Sequence, residues 1–257
     1  MSGAPILLSI TSIPERIELL LAHFDWYRSQ AVKPERAVIW LDETVFSAAD
    51  GAALHQRYGL PAEVTVCVRP DLGPQTKLLH ALREYGDRPI VTADDDIIYP
   101  ADWFAGLAAA YTRAPQHIHA WRAHRIVIGD DGTPVPYAAW PWLAPGEQGP
   151  SVWLFPTGTG GVVYPPGALA DEVHNLTAMR ELCPTADDIW FKAMALLRGT
   201  AAQKIAPDSR EFPHIAGSER RMLWTINRER NDSQLAAVFR RYGLAERLRA
   251  RPDSGTP

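Results

Sequence analysis

The sequence predicts an α/β fold with a mainly parallel sheet, helices on both of its faces and a helical C-terminal extension. Three observations point there. Short apolar runs of strand length alternate with amphipathic stretches at helical spacing through the first half of the chain. Most runs end in hydroxyl or acidic residues, as strands do where a parallel sheet opens at its carboxyl rim. The 257 residues are 46% hydrophobic and 22% charged, enough apolar material for one sizeable core.

Taken in order, residues 6–10 (ILLSI) read as a first strand ending in Thr11-Ser12. The apolar positions Ile17, Leu20, Leu21, Phe24 and Tyr27 predict a helix over 16–29. Residues 37–41 (AVIWL) form a second strand ending at Asp42-Glu43, and a helix over 48–58 is stopped by Gly59 and Pro61. Residues 64–68 alternate as a third strand, followed by a helix over 76–85 closed by Gly86 and a fourth strand over 89–92. Beyond it the pattern predicts a helix over 101–113 and one long strand over 117–128. Residues 129–167 are rich in Pro, Gly and Trp and read as irregular walls with a mobile loop. A helix over 186–197 and a charged helical region over 218–249 complete the chain. The expected organisation is one domain over 1–217, a helical extension of it over 218–250, and a disordered tail over 251–257.

The formal net charge of −4 gives no electrostatic case for nucleic acid as the main partner. No apolar run approaches the ~20 residues that span a bilayer, and the N-terminal MSGAPILLSITS has no basic leader. The two cysteines, Cys67 and Cys183, lack metal-ligand spacing and suit a reducing compartment. The expected location is the cytoplasm or the inner face of the membrane. Peripheral association there would use the C-terminal arginines (Arg220, Arg221, Arg228, Arg230, Arg240, Arg241, Arg247 and Arg249), although interspersed acids favour a solvated face. Oligomeric state has no signature in the sequence.

Three motifs carry chemistry. In PIVTADDDIIYPADWF, an apolar strand delivers Asp94, Asp95 and Asp96 into a turn. In extended chain Asp94 and Asp96 share a side and Asp95 points elsewhere. Such a cluster repels itself unless solvated or neutralised by a cation, and a divalent ion on one or two carboxylates would take phosphate oxygens as further ligands. The alternative is a solvated helix-entry loop. In PTADDIWFKAMALLRG (184–199), Thr185 and Asp188 have capping-box spacing. Asp187 and Asp188 cannot both serve that cap, so one is available as a general base. Between them, FPTGTGGVVYPPGAL (155–169) has glycines that permit close backbone approach or simply a tight turn.

Together with LSITSIPERI (8–17), AVIWLDE (37–43) and GPQTKLLHAL (73–82), these segments resemble the GT-A nucleotide-sugar glycosyltransferases, in particular bacterial polysaccharide-associated members. The resemblance runs to about residue 200; LWTIN…ND (223–232) looks like the same group without an assigned role. It implies a Rossmann-like GT-A sheet, a nucleotide-sugar donor, a glycan acceptor and Mn²⁺ or Mg²⁺. The triplet matches the D-x-D element, with Asp96 on the metal, Asp94 near the donor ribose or a metal water, and His214 as a further metal ligand. Asp95 falls in the donor site with no role of its own. The Asp187-Asp188 pair resembles the acidic pair of inverting members, with Asp188 as base; the usual first member is Glu. Thr11, Ser12 and Arg16 would hold base and ribose, Asp42 or Glu43 the base edge, and Lys77 a phosphate or ribose. Gly160 and Gly161 would lie under the acceptor, and Trp140, Trp142 and Trp153 would stack on sugar rings or pack internally. A metal-dependent nucleotidyltransferase or phosphohydrolase explains the triplet but not the second acidic pair. A non-catalytic glycan-binding module explains the nine tryptophans but not the intact triplet.

Overall fold

The computed structural model describes residues 5–218 and 223–251, with the backbone alone for 223–226, 228 and 229. Arg220, Arg221, the Arg228 side chain and the tail from 252 onward lie outside the described residues. Strands β1 (Leu7–Thr11), β2 (Arg36–Asp42), β3 (Val64–Arg69) and β4 (Ile90–Ala93) are mutually parallel. They are joined through helices α1 (Ile17–Ala22), α2 (Asp25–Arg28), α3 (Ala48–Arg57) and α4 (Thr76–Tyr85). After α5 (Trp103–Arg113) come β5 (Ile118–Ala120), β6 (Ala123–Arg125), β7 (Leu154–Pro156) and β8 (Val162–Tyr164). The chain ends with α6 (Leu176–Leu182), α7 (Asp187–Arg198), β9 (Ala202–Lys204), α8 (Leu223–Tyr242) and α9 (Leu244–Arg249).

The main sheet has the order β3-β2-β1-β4-β8-β5-β9, in which β8 alone runs against the rest; β6 and β7 form a separate antiparallel pair. The α/β, mainly parallel fold class therefore holds. Alternation along the strands divides the core between the two faces. Leu7, Val38, Trp40 and Ile90 pack towards α4, α7 and α8. Leu8, Ile10, Ile39, Leu41 and Val91 pack towards α1 and α5. Each such side chain contributes roughly 1.5–3 kcal/mol by leaving water. The strand order reverses between β1 and β4, and a crevice opens outside their carboxyl ends.

Two expected elements are broken. The helix over 16–29 is two short helices, because Phe24 and Trp26 are both buried (0% and 4% exposed) and one helix would send residues two apart to different sides. The strand over 117–128 is split between two sheets. At the break, Trp121 packs on α5, where its ring occupies the space a Cβ on Gly106 would need, and its indole N–H donates to the Trp103 carbonyl (3.0 Å). Arg122 is left facing the crevice. The irregular 129–167 segment holds β7 and β8, and Gly243 in the left-handed conformation (φ 59°) separates α8 from α9.

Candidate active site

A cleft of about 1080 Å³ occupies the crevice, and the loop after β4 forms its floor. Asp95, only 4% exposed, accepts from Ser12 Oγ (2.6 Å) and pairs with Arg16 Nη2 (2.9 Å). Arg16 Nη1 reaches Asp96 Oδ2 (3.1 Å). Burial pushes the Asp95 carboxyl up to about 6, against the opposing pull of Arg16 and Ser12. Asp95 thus ties the acidic loop to the end of β1, which supplies the role that the alternation left open. Thr11 and Asp42 also line the cleft; Asp42 accepts from the Thr44 amide (2.9 Å) and hydroxyl (2.7 Å).

Asp94 is held by Lys77, whose ammonium also pairs with Asp187 Oδ2 (3.0 Å). Lys77 is 6% exposed; it neutralises the two acids rather than reaching freely for a phosphate. The helix carrying it is anchored beneath β1, where Ser9 Oγ donates to the Lys77 carbonyl and accepts from Trp40 Nε1 (2.7 Å). Tyr99 links two loops: its Oη accepts from the Asp94 amide (3.0 Å) and donates to the Thr159 carbonyl (3.3 Å). Trp103, stacked on Tyr99 with centroids 4.1 Å apart, donates to the Gly160 carbonyl (2.8 Å).

The glycine segment meets both groups of acids at Gly158. Its amide donates to Asp188 Oδ1 (2.9 Å). A Cβ there would lie 2.9 Å from Lys77 Nζ, 3.3 Å from Asp188 Oδ1 and 3.5 Å from Asp94 Oδ1, so a side chain at this position would crowd the Lys77 ammonium. Gly160 lines the cleft. Gly161 does not; at φ 83°, a Cβ would strike Trp103 at 2.4 Å, so its part is packing.

The expected capping box at α7 does not form. Thr185 is engaged by Gln234 instead, through its amide (3.0 Å) and its hydroxyl (3.0 Å), and Ala186 occupies the cap with no side-chain bond. Asp188 is thereby released to Gly158. Burial first, then the negative charge of Asp187, raises the Asp188 carboxyl well above the ordinary range; Lys77 opposes this. Burial likewise raises Asp187 despite Lys77.

His214 arrives from a distant part of the chain. It forms a β-bridge with Ile97, flanked by bonds from the Ile98 amide to the Pro213 carbonyl (2.9 Å) and from the Ile215 amide to the Asp96 carbonyl (2.7 Å). His214 Nδ1 then lies 3.8 Å from Asp96 Oδ2. Among the described residues no three His, Cys, Asp or Glu side chains converge as a metal cage. Of the expected trio, Asp94 is paired with Lys77 and Asp96 with Arg16, and His214 stands beside Asp96.

Other expected contributors lie elsewhere. Glu43 is exposed and off the cleft, its amide bonded to the Arg69 carbonyl (3.0 Å). Trp140 is a core residue, 3% exposed, packed on Tyr137 and Phe155 with its indole N–H on the Val135 carbonyl (3.0 Å). Trp153 faces Arg125, away from the cleft. Trp142 does line it, with His124 (4.3 Å between ring centroids) and the Arg122 guanidinium (5.7 Å). Arg122 and His124 escaped the sequence reading; their alternation in HAWRAH, which sends both to one side of an extended chain, was the available signal. Tyr137 had no comparable signal, and Asn227 and Asn231 were marked only by the unassigned resemblance of 223–232.

No protein-family model matches the sequence, and no curated protein matches it either. Among solved structures, S. aureus TarS 1–349 superposes with a TM-score of 0.52 at 13% identity, over 80% of this chain and 59% of that one. The same TarS fragment in complex with UDP superposes with a TM-score of 0.50 at 12% identity, over the same shares. This chain therefore spans about three-fifths of the TarS fragment's length. A 4-diphosphocytidyl-2C-methyl-D-erythritol synthase from Anaerococcus prevotii covers 50% of this chain and 61% of its own, at 10% identity and a TM-score of 0.38, too loose a superposition to bear on function. The chain shares the GT-A-like fold of TarS.

Proposed function

We propose that this chain is a nucleotide-sugar glycosyltransferase. It moves a sugar from a nucleoside-diphosphate donor to a glycan hydroxyl, with inversion, in bacterial surface polysaccharide synthesis. One observation carries the reading: Asp94 of the strand-end triplet and Asp188 of the second acidic pair approach the same glycine, Gly158, with Lys77 between them. That arrangement would set a donor-phosphate edge beside a half-buried general base. The GT-A-like fold shared with TarS supports it, and the TarS complex with UDP makes UDP-sugars the first donors to test.

In this reading Asp188 takes the proton of the acceptor hydroxyl while that oxygen attacks the anomeric carbon; the bond from that carbon to the diphosphate breaks with its electron pair on the leaving oxygen. A carboxylate whose pKa is raised by burial and by Asp187 is a stronger base than an ordinary one. The Gly158 amide orients the carboxylate, and Tyr99 and Trp103 hold the two loops in register. Thr11, Ser12 and Asp42 lie where a base and ribose would dock on the β1 and β2 ends. Asp96 and His214 fit a Mn²⁺ or Mg²⁺ ion held by two protein donors, with water and phosphate oxygens completing the shell. Such an ion, when bound, would neutralise charge on the leaving diphosphate.

The test is release of nucleoside diphosphate from a UDP-, GDP- and dTDP-sugar panel with Mn²⁺ and oligosaccharide acceptors. Asp188→Asn should lower transfer by about 100- to 10,000-fold while UDP and Mn²⁺ still bind. Asp96→Asn and His214→Ala should weaken Mn²⁺ binding in calorimetry. Binding without turnover across the panel would sink the transferase reading, and loss of transfer in Asp187→Asn alone would reassign the base.

A further inference from the structure

Buried amide oxygens are seldom left without a donor, because the fold bears the cost of desolvating them. Helix α8 has two, Oδ1 of Asn227 and Oδ1 of Asn231, and both residues line the cleft. Four residues apart, they lie one above the other on a single helix face. The polar residues around them are accounted for by the fold. Gln234 engages Thr185 twice, and Asn227 Nδ2 donates to the Thr185 carbonyl (2.9 Å). Asp232 Oδ1 accepts from the Tyr137 amide (2.6 Å). These bonds clamp α8 between the residue two before Asp187 and the aromatic wall that contains Tyr137 and Trp142. Asn231 is different: it is 8% exposed, and its oxygen has no partner among the described residues. An apolar side chain would serve packing better there.

Asp94, Asp96, Asp187 and Asp188 make part of the cleft charged, whereas these two groups are neutral amides. An amide offers one acceptor and two donors, and a hydroxyl both donates and accepts, so either end of the amide finds a complement in a polyol. We propose that Asn227 and Asn231 form the acceptor-recognition edge, hydrogen-bonding saccharide hydroxyls next to the one presented to Asp188. The proposal rests on the transferase reading and assigns a role to the 223–232 segment.

The experiment uses the full chain, saturated with UDP, on an array of immobilised di- to tetrasaccharides containing hexose, N-acetylhexosamine and deoxyhexose. Asn231→Leu keeps the branched outline of the side chain without its polar atoms, and Asn231→Ser shortens the reach while remaining polar. Both should weaken retention of the saccharides bound by the wild type by about tenfold or more, with UDP affinity unchanged. The melting temperature of Asn231→Leu should be equal or higher, since an unpartnered oxygen is removed. Equal saccharide retention by wild type and variants overturns the proposal, as does wild-type binding of UDP with no saccharide on the array. If no form binds UDP and saccharide retention still falls in the variants, the donor reading fails and the saccharide edge stands.

Discussion

Between Asp94 and Asp187 sits one ammonium group, and its charge is felt by Asp188 as well. Like-charged buried carboxylates raise one another's pKa, and a nearby cation lowers it. Asp187 and Asp188 therefore share their titration. Since Asp188 must be ionised to take a proton, transfer should fall as pH drops through its raised pKa. Lys77→Met removes the lowering influence, so the acidic limb of the kcat/KM profile should move to higher pH. Asp187→Asn removes a raising influence and should move that limb to lower pH. Limbs that stay put in both variants would show that Asp188 is not the titrating base. The bridge was not legible at Lys77 in the sequence, where the resemblance offers the lysine to a phosphate or ribose. Its burial depends on where α4 crosses β1, a long-range fact.

At the level of the element, α7 carries the acidic pair at its start and a second buried lysine one turn further on. Lys192 is 4% exposed, its ammonium donates to the Val152 carbonyl (2.6 Å), and burial pushes it down to about 7. The folded-state pKa lies below the unfolded one, so the unfolded chain binds more protons between about 7 and the ordinary lysine value. The cost is greatest at and below pH 7 and fades as pH rises. Lys192→Met should stabilise the protein by about 2–4 kcal/mol at pH 6–7, at 1.4 kcal/mol per pKa unit discounted for the lost carbonyl bond. That gain should shrink steadily towards pH 10; a gain independent of pH in urea titrations would show that the lysine is not buried as a charge. The glycine segment shows a related dependence on surroundings. Its clustered glycines Gly158, Gly160 and Gly161 signal backbone freedom, but Gly158 lies against Lys77, Asp94 and Asp188 while Gly161 accommodates Trp103.

Across the whole molecule, the strand order places the crevice between β1 and β4, and α8 closes its far side. Leu235, Val238 and Phe239 of α8 join the same core cluster as Leu7, Trp40 and Trp190. Because α8 packs into that core and also presents Asn227 and Asn231 to the cleft, the proposed acceptor edge depends on the packing that stabilises the fold. Phe239, 4% exposed, leaves a large cavity when truncated. Phe239→Ala should cost about 3–5 kcal/mol in chemical denaturation. A loss under 1 kcal/mol would show that α8 is an appendage, not part of the core. No described helix is long and apolar enough to cross a membrane.

The sequence by itself determined the α/β class, the polar carboxyl rim and the two acidic motifs, because strand and helix periods and adjacent carboxylates are local properties. The resemblance pointed to His214, which the edge bridge to Ile97 brings beside Asp96. Tertiary structure alone decided the partners. Asp95 became a tie to Ser12 and Arg16, and Lys77 a bridge between acids. Trp140 went to the core and Trp142 to the cleft, although they are two residues apart in one Pro-rich segment. Most decisively, Gln234 took Thr185 away from the α7 cap and left Asp188 to Gly158. Local spacing lists the bonds a side chain can make; which one forms depends on what distant segments bring within hydrogen-bond reach, and on the cost of leaving any buried polar group unpaired.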